Sequence, residues 1–458
     1  MLHCSDMPVA RLLYTLLSVL ALPAAAVFLC WRGRRHAGYR HDWGERFLGL
    51  TSRPDTDARP LVWIHAVSVG ETRAVGPLVE ALLAMQPGPR VLLTHGTPTG
   101  RDTGRALFGG RIRQAYLPYD LPWAVANFLE RQRPVLGLLV ETEVWPNLVA
   151  ACRTRGIPLC LINARMSQRS LRGYLRVTAL TRPAFAGLTR TLAQTQADAD
   201  RLAQLGAVDV RVTGNLKSDA DPDPRQVAAG CAWRQTWDAA ECACGRASRP
   251  VWLAASTREG EDDAVIRAAC DVAATHPQAL LVWVPRHPHR IPQIEAALAR
   301  AGLIYQRRSR TTAPNPGTLV WLGDSLGELA AYIASADVVF MGGSLADTGG
   351  QNLLEPCAQG KPVIVGPHTF NFLEVTDQAL ANGAALQVAD APELGSAVSG
   401  LLADADRRSK MGGAALAFRQ RHRGSLSRTL ADLADLLPPL QLAGGTSPGS
   451  GSSLTGTR

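Results

Sequence analysis

Short apolar runs separated by helix-length segments recur along this 458-residue chain, and no other feature narrows its fold as much. In the first half they fall at residues 61–65, 91–95, 115–117, 136–140, 159–163, 191–193 and 210–213. In the second half they fall at 251–255, 279–284, 319–322, 338–341, 362–365 and 385–388. Each run is too short for a helix and apolar on consecutive positions, as a strand buried on both faces must be. Such runs alternating with helical patterns predict βαβ units and parallel sheets. Between the halves the chain changes character. SDADPDPRQ is turn-rich and acidic, ECACGRASRP is small and irregular, and a helix is expected around residues 227–237. This reads as a linker, and the length exceeds what one ordinary core holds. The expectation is an α/β protein with two Rossmann-like domains facing a cleft. Its parts are residues 1–43 as N-terminal anchor and basic flank, 44–218 as first domain, 219–249 as linker, 250–437 as second domain, and 438–458 as a flexible Gly/Ser/Thr-rich tail.

The anchor rests on residues 9–31, VARLLYTLLSVLALPAAAVFLCW, a run long enough to cross a bilayer; Pro23 is placed to kink it, so a shallow or broken insertion is the alternative to a span. Arg32, Arg34, Arg35, His36 and Arg40 follow directly. A basic flank on that side keeps it in the cytoplasm and attracts anionic headgroups. A cleaved signal peptide is the rival reading. Against it, Asp6 lies in a weakly charged n-region, and arginines stand where a small-residue cleavage site belongs. The nine cysteines show no paired framework and no zinc spacing, which suits free thiols in a reducing compartment.

In parallel sheets function gathers at the carboxyl ends of strands, and there polar clusters recur. HAVSVGE (65–71) ends in Glu71 at a probable helix start. A carboxylate there is either a helix N-terminal charge or, beside a sugar hydroxyl, a general base. ETEVWPN (141–147) sets Glu141 and Glu143 at the mouth of a buried strand, on one side if the strand continues. NARMS (163–167) carries Arg165, and GNLK (214–217) ends in Lys217. The second half adds STREGE (256–261), PRHPHR (285–290), LGE (326–328) and GPHTFNF (366–372), whose aromatics serve either the core or a cleft wall. Arg286 is the residue type for two-pronged phosphate contact. His287 and His289 lack a nearby carboxylate, so no metal site is expected.

Residues 340–356, FMGGSLADTGGQNLLEP, read as a strand end, a glycine-rich loop and a helix beginning near Asn352. Glycines allow close backbone approach to a ligand, and a helix start offers N–H groups to a phosphate. Glu355 is placed for sugar or base hydroxyls. The net charge of +9 implies acidic partners. A nucleic-acid partner is not expected, because the arginines are scattered outside the N-terminal flank and form no basic face with aromatic platforms.

Taken together and in order, HAVSVGE, ETEVWPN, NARMS, GNLK, STREGE, PRHPHR, LGE, MGGSL, GGQNLLEP and GPHTFNF resemble the 3-deoxy-D-manno-octulosonic acid (Kdo) transferases of lipid A assembly, from about residue 39 to about residue 387. The resemblance implies a GT-B fold, CMP-Kdo as donor, the lipid A precursor lipid IVA as acceptor, no cofactor or metal, inversion at the transferred sugar, and attachment to inner-membrane lipids from the cytoplasmic side. It implies Glu71 as catalytic base, with Glu141 and Lys217 assisting the transition state. It implies CMP contacts at Pro285, Arg286, Leu326, Gly327, Glu328, Asn352, Leu353, Leu354 and Glu355. Gln351, Leu353 and Ser218 depart from that family's usual His, Pro and aromatic residue.

Overall fold

A computed structural model of the chain describes residues 9–34, 36–52, 57–219, 221–243, 245 and 247–437. The expected tail at 438–458, Arg35 of the basic flank and Asp6 lie outside the described residues. The chain forms two compact units, Met1–Ala220 with Gly424–Arg458, and Asp221–Arg423.

In the first unit seven parallel strands run β1 Leu61–His65, β2 Arg90–His95, β3 Arg113–Tyr116, β4 Leu136–Val140, β5 Leu159–Ala164, β6 Arg190–Ala193 and β7 Val210–Val212. Their spatial order is β3-β2-β1-β4-β5-β6-β7. Successive side chains of a strand point to opposite faces, and here both faces are covered. Val62, Ile64, Leu138 and Ile162 enter one core, while Trp63, Leu139 and Leu161 enter the other. Both layers therefore need apolar residues, which is why these strands read as unbroken runs.

The helix Ser425–Leu433 was expected in the second domain but closes the first unit. Leu433 and Leu437 sink among Val62, Ile64 and Leu138. The Asp219 carboxylate accepts the Gly424 N–H at 2.7 Å, and Arg428 Nε donates to the Thr213 carbonyl at 2.9 Å. Arg190 pairs with Asp209 at 2.5 Å and with Asp435 at 2.7 Å. A returning helix of this kind pairs with no strand, so the βα alternation carries no sign of it.

The second unit repeats the plan with β8 Val251–Thr257, β9 Leu280–Pro285, β10 Tyr305–Arg307, β11 Val320–Leu322, β12 Val338–Met341, β13 Val363–Val365 and β14 Ala385–Gln387, in the order β10-β11-β9-β8-β12-β13-β14. The sequence reading lacks β10, a three-residue edge strand of half-buried Tyr, Gln and Arg. An edge position needs neither apolar face filled, so the hydrophobic signal is missing.

Within the expected linker at residues 219–249, the helix expected around residues 227–237 is present and packed. The helix Pro224–Ala243 is 20 residues long and lies on the second unit, with the Trp233 and Trp237 rings 5.5 and 5.2 Å from Trp321. It crosses the helix Leu329–Ser335 so closely that a Cβ on Gly230 would stand 2.1 Å from the Ala331 carbonyl oxygen. Gly230→Ala forces these helices apart and is expected to cost about 2 kcal/mol, read as a lower Tm of the second unit.

The apolar run at residues 9–31 forms two helices, Val9–Leu20 and Leu22–Arg32, bent by 45°, the broken form among the alternatives expected for it. Pro23 sits in the first turn of the second helix, where its missing N–H costs nothing. No single helix among the described residues is long and apolar enough to cross a membrane.

Candidate active site

In both sheets the strand order reverses direction beside the first strand, between β1 and β4 and between β8 and β12. Ligands of open α/β sheets bind outside the carboxyl ends of strands at such points. Glu71 follows β1 and Glu141 follows β4, so the first unit brings these two carboxylates to its switch point.

Ser68 caps the helix Val69–Ala74. Its hydroxyl donates to Glu71 Oε1 at 2.9 Å, and the Val67 N–H donates to Oε2 at 2.6 Å. The capping role and a chemical role thus fall on one side chain. Burial pushes the Glu71 carboxyl up to about 7. The Val67 and Ser68 hydrogen bonds oppose this shift, and the charges of Glu141 and Glu143 reinforce it.

Glu141 does not continue β4. The strand stops at Val140, and Glu141 adopts φ of +63°, a left-handed conformation that side chains resist and that concentrates at functional sites. Its N–H reaches the Ile162 carbonyl at 3.0 Å. The turn sends Glu141 Oε1 to Lys217 Nζ at 3.1 Å. Glu143 is held separately by the Trp145 indole N–H at 3.0 Å, and burial raises its carboxyl. Lys217 is positioned from below. Asn163, also left-handed at φ +50°, accepts the Leu216 N–H at 2.9 Å, while Asn215 Oδ1 accepts the Lys217 N–H at 3.0 Å. In NARMS it is therefore buried Asn163 that organises the rim; Arg165 is exposed.

The second unit revises the reading of the glycine-rich loop. Fully buried Glu261 accepts N–H groups from Arg258 and Gly343 at 2.7 Å and from Ser344 and Leu345 at 2.9 Å. A protein carboxylate therefore occupies the first part of the loop, where an external phosphate was expected to be received. Nothing in STREGE marks Glu261 over Glu259, because the choice is made by a loop some 80 residues away in the chain. The helix expected from Asn352 is four residues, Leu354–Cys357, too short for a strong dipole. Asn352 Oδ1 accepts the Leu354 N–H at 3.2 Å, and its amide donates to Glu355 Oε1 at 3.4 Å. Leu353 and Leu354 point into the core, so only their backbone can meet a ligand. A Cβ on Gly349, at φ +88°, would strike Asn371 at 2.2 Å. That glycine therefore lets the 366–372 segment close over the loop, with Phe370 left exposed.

Pro285 is buried at the end of β9, and Arg286 is exposed beside it, its N–H bonded to the Thr257 carbonyl at 3.0 Å. Partial burial, with the nearby charges of Arg258 and Arg286, holds the His287 pKa down. Leu326 is 79% exposed and Gly327 is left-handed at φ +83°. Glu328 is fixed by Ser325 and by Arg308 at 3.3 Å. Arg308 in turn lies over the Trp233 ring at 4.7 Å, a support the sequence reading missed. All the expected nucleotide contacts thus gather at the carboxyl ends of β9, β11 and β12, the expected catalytic trio at those of β1, β4 and β7.

Residues 41–220 match the family model described as 3-Deoxy-D-manno-octulosonic-acid transferase (kdotransferase). The chain is 46% identical over 418 residues to the 3-deoxy-D-manno-octulosonic acid transferase of Bordetella pertussis, covering 89% of this chain and 95% of that one. It is 35% identical over 434 residues to the enzyme of the same name from Haemophilus influenzae, covering 94% and 98%. Among solved structures, a glycosyltransferase from Rickettsia africae superposes with a TM-score of 0.57 at 12% identity, over 83% of this chain and 99% of that one. Such neighbours identify the fold as the GT-B class, two Rossmann-like domains with parallel sheets.

Proposed function

This chain belongs to the 3-deoxy-D-manno-octulosonic acid transferase family, and from that premise we propose that it transfers Kdo from CMP-Kdo to lipid IVA at the cytoplasmic face of the inner membrane. The observation that carries the mechanism is the Glu71 carboxylate, held by Val67 and Ser68 with its pKa raised to about 7. A general base works best with a pKa near the operating pH. The acceptor hydroxyl oxygen attacks the anomeric carbon of Kdo and its proton passes to Glu71. The bond from that carbon to the phosphate oxygen breaks, and CMP leaves with the electron pair, inverting the centre.

Charge develops on the departing phosphate, where fixed donors contribute most. Arg286 and the backbone around Gly350–Asn352 take that role, with Pro285, Leu326–Glu328 and Asn352–Glu355 placing the nucleotide. Lys217, held by Glu141 at 3.1 Å, offers a cation to the transition state. A monophosphate leaving group has no diphosphate to bridge, which supports a reaction without metal.

Incubation with CMP-Kdo and lipid IVA, followed by mass spectrometry of the lipid, is expected to show mass increments of Kdo. CMP is expected to compete with the donor at concentrations where UDP does not. Competition by UDP alone, with no Kdo-bearing lipid, would replace this reading with that of a GT-B enzyme using another donor.

A further inference from the structure

The helix Val9–Leu20 is inside out. Its outward face carries Val9, Leu13, Leu16, Leu17 and Leu20, with Leu20 75% and Leu17 67% exposed. Its inward face carries Arg11, Tyr14, Thr15 and Ser18, spaced three and four apart as one helical stripe. That polar stripe is fastened to the body of the first unit. Thr15 Oγ1 accepts the Asn147 amide at 3.0 Å. Tyr14 hydrogen-bonds Asp120, and the Arg11 charge faces the same carboxylate. Asp120 is buried and accepts the Asn147 and Leu148 N–H groups at 2.9 and 2.8 Å, closing the start of the helix Pro146–Thr154.

A water-facing helix has the opposite polarity. This one is also short, 12 residues, or about 18 Å against a hydrocarbon core of about 30 Å. Standing it upright through a bilayer would tear Tyr14 and Thr15 from their buried partners. The second helix continues the apolar surface with Val27, Phe28 and Trp31, all exposed. It ends at a depression lined by Trp31, Trp43, Arg34 and Arg40, the aromatic and cationic pairing found where chains meet lipid headgroups. The helix Thr178–Ala186, on which Val9–Leu20 packs, follows exposed Leu175 and Val177 and exposed Arg172 and Arg176.

We propose that Val9–Leu20 lies in the plane of the membrane without spanning it, its aliphatic face in the acyl boundary of one leaflet, and that the Trp31–Trp43–Arg34–Arg40 depression receives the phosphate of an anionic lipid. The occupant is a bilayer because the patch joins a continuous aliphatic strip to an arginine and tryptophan rim, a complement to anionic headgroups over acyl chains. The inference deepens the membrane assignment made above and is independent of the Kdo chemistry.

The test uses the full chain with an epitope added before residue 1, in inside-out inner-membrane vesicles. An in-plane helix leaves the epitope on the outer, cytoplasmic surface, where added protease removes it; a spanning helix protects it, and protection overturns the proposal. With purified protein, flotation on phosphatidylcholine vesicles containing phosphatidylglycerol is expected to fall at least tenfold for Leu13→Glu/Leu17→Glu. Arg34→Glu/Arg40→Glu is expected to bring binding down to the level on phosphatidylcholine alone. Unchanged flotation in either variant overturns the corresponding half of the proposal. A shift from dimer to monomer in sedimentation with flotation intact would instead assign the face to a second copy of the chain. Both variants are expected to keep Kdo transfer to detergent-dispersed acceptor. Absence of product even from the unsubstituted chain would count against the proposed activity and leave the membrane result standing.

Discussion

Glu71→Gln is expected to lower the rate of Kdo transfer by a factor of about 10²–10⁴, the usual contribution of a positioned general base, while the affinity for CMP-Kdo stays within about twofold. The amide retains an oxygen for the Val67 N–H, so the cap at the start of Val69–Ala74 survives. It also removes a buried charge. Because the Glu71 pKa is raised by folding, the protonated carboxyl contributes stability that is fully present below its unfolded pKa and is lost as pH rises through about 7 and the group ionises. The variant is therefore expected to melt no lower than the unsubstituted protein at pH 8. A loss of turnover with an unchanged or higher Tm separates chemistry from folding. The pH profile follows from the same group. kcat/KM is expected to climb with a slope of one proton up to about pH 7 and level off above it. More than a tenth of the original turnover in Glu71→Gln would remove Glu71 from the role of base.

Glu261→Gln is expected to have the largest effect in the second unit. Four backbone N–H groups converge on two carboxylate oxygens in a site closed to solvent. An amide supplies one oxygen, and its NH₂ group faces two of those donors. Leaving buried donors unsatisfied costs about 1–3 kcal/mol each, so the loss is on the order of 4 kcal/mol, or on the order of 10 °C in the Tm of a unit of this size. Residues 343–345 would rearrange and carry the 350–355 segment with them, because Gly350 N–H is bonded to the Gly343 carbonyl. CMP binding measured by calorimetry well below the new Tm is expected to fall by more than tenfold. Full CMP affinity with an unshifted Tm would show that the carboxylate does not hold the loop.

The two effects differ in how legible they were. Glu71 stands six residues past the end of the five-residue strand Leu61–His65, so strand, turn and helix start are all visible around it, and only the balance between cap and base is open. Glu261 was visible as a residue of STREGE, but its partner lies in a glycine loop more than 80 residues on. The glycines of that loop suggest a phosphate cradle, but glycine content reports backbone freedom and does not report what fills the space. Glu141 lies between these cases. Its place at a strand end is legible, but whether the strand continues through it is not, because a left-handed turn at a non-glycine residue leaves no mark in composition.

By itself the sequence determined the α/β class, the duplicated parallel plan and the motifs that identify the family, since these rest on local periodicity and on residue order. Burial on both sides of a parallel strand writes itself into consecutive residues. Tertiary structure alone decided which carboxylate fills the glycine loop, that the last helix returns to the first unit, that the linker helix is a packed face of the second, and that the N-terminal helix turns its polar side inward. Each of these depends on a partner distant in the chain, and a contact made through space has no period along the sequence.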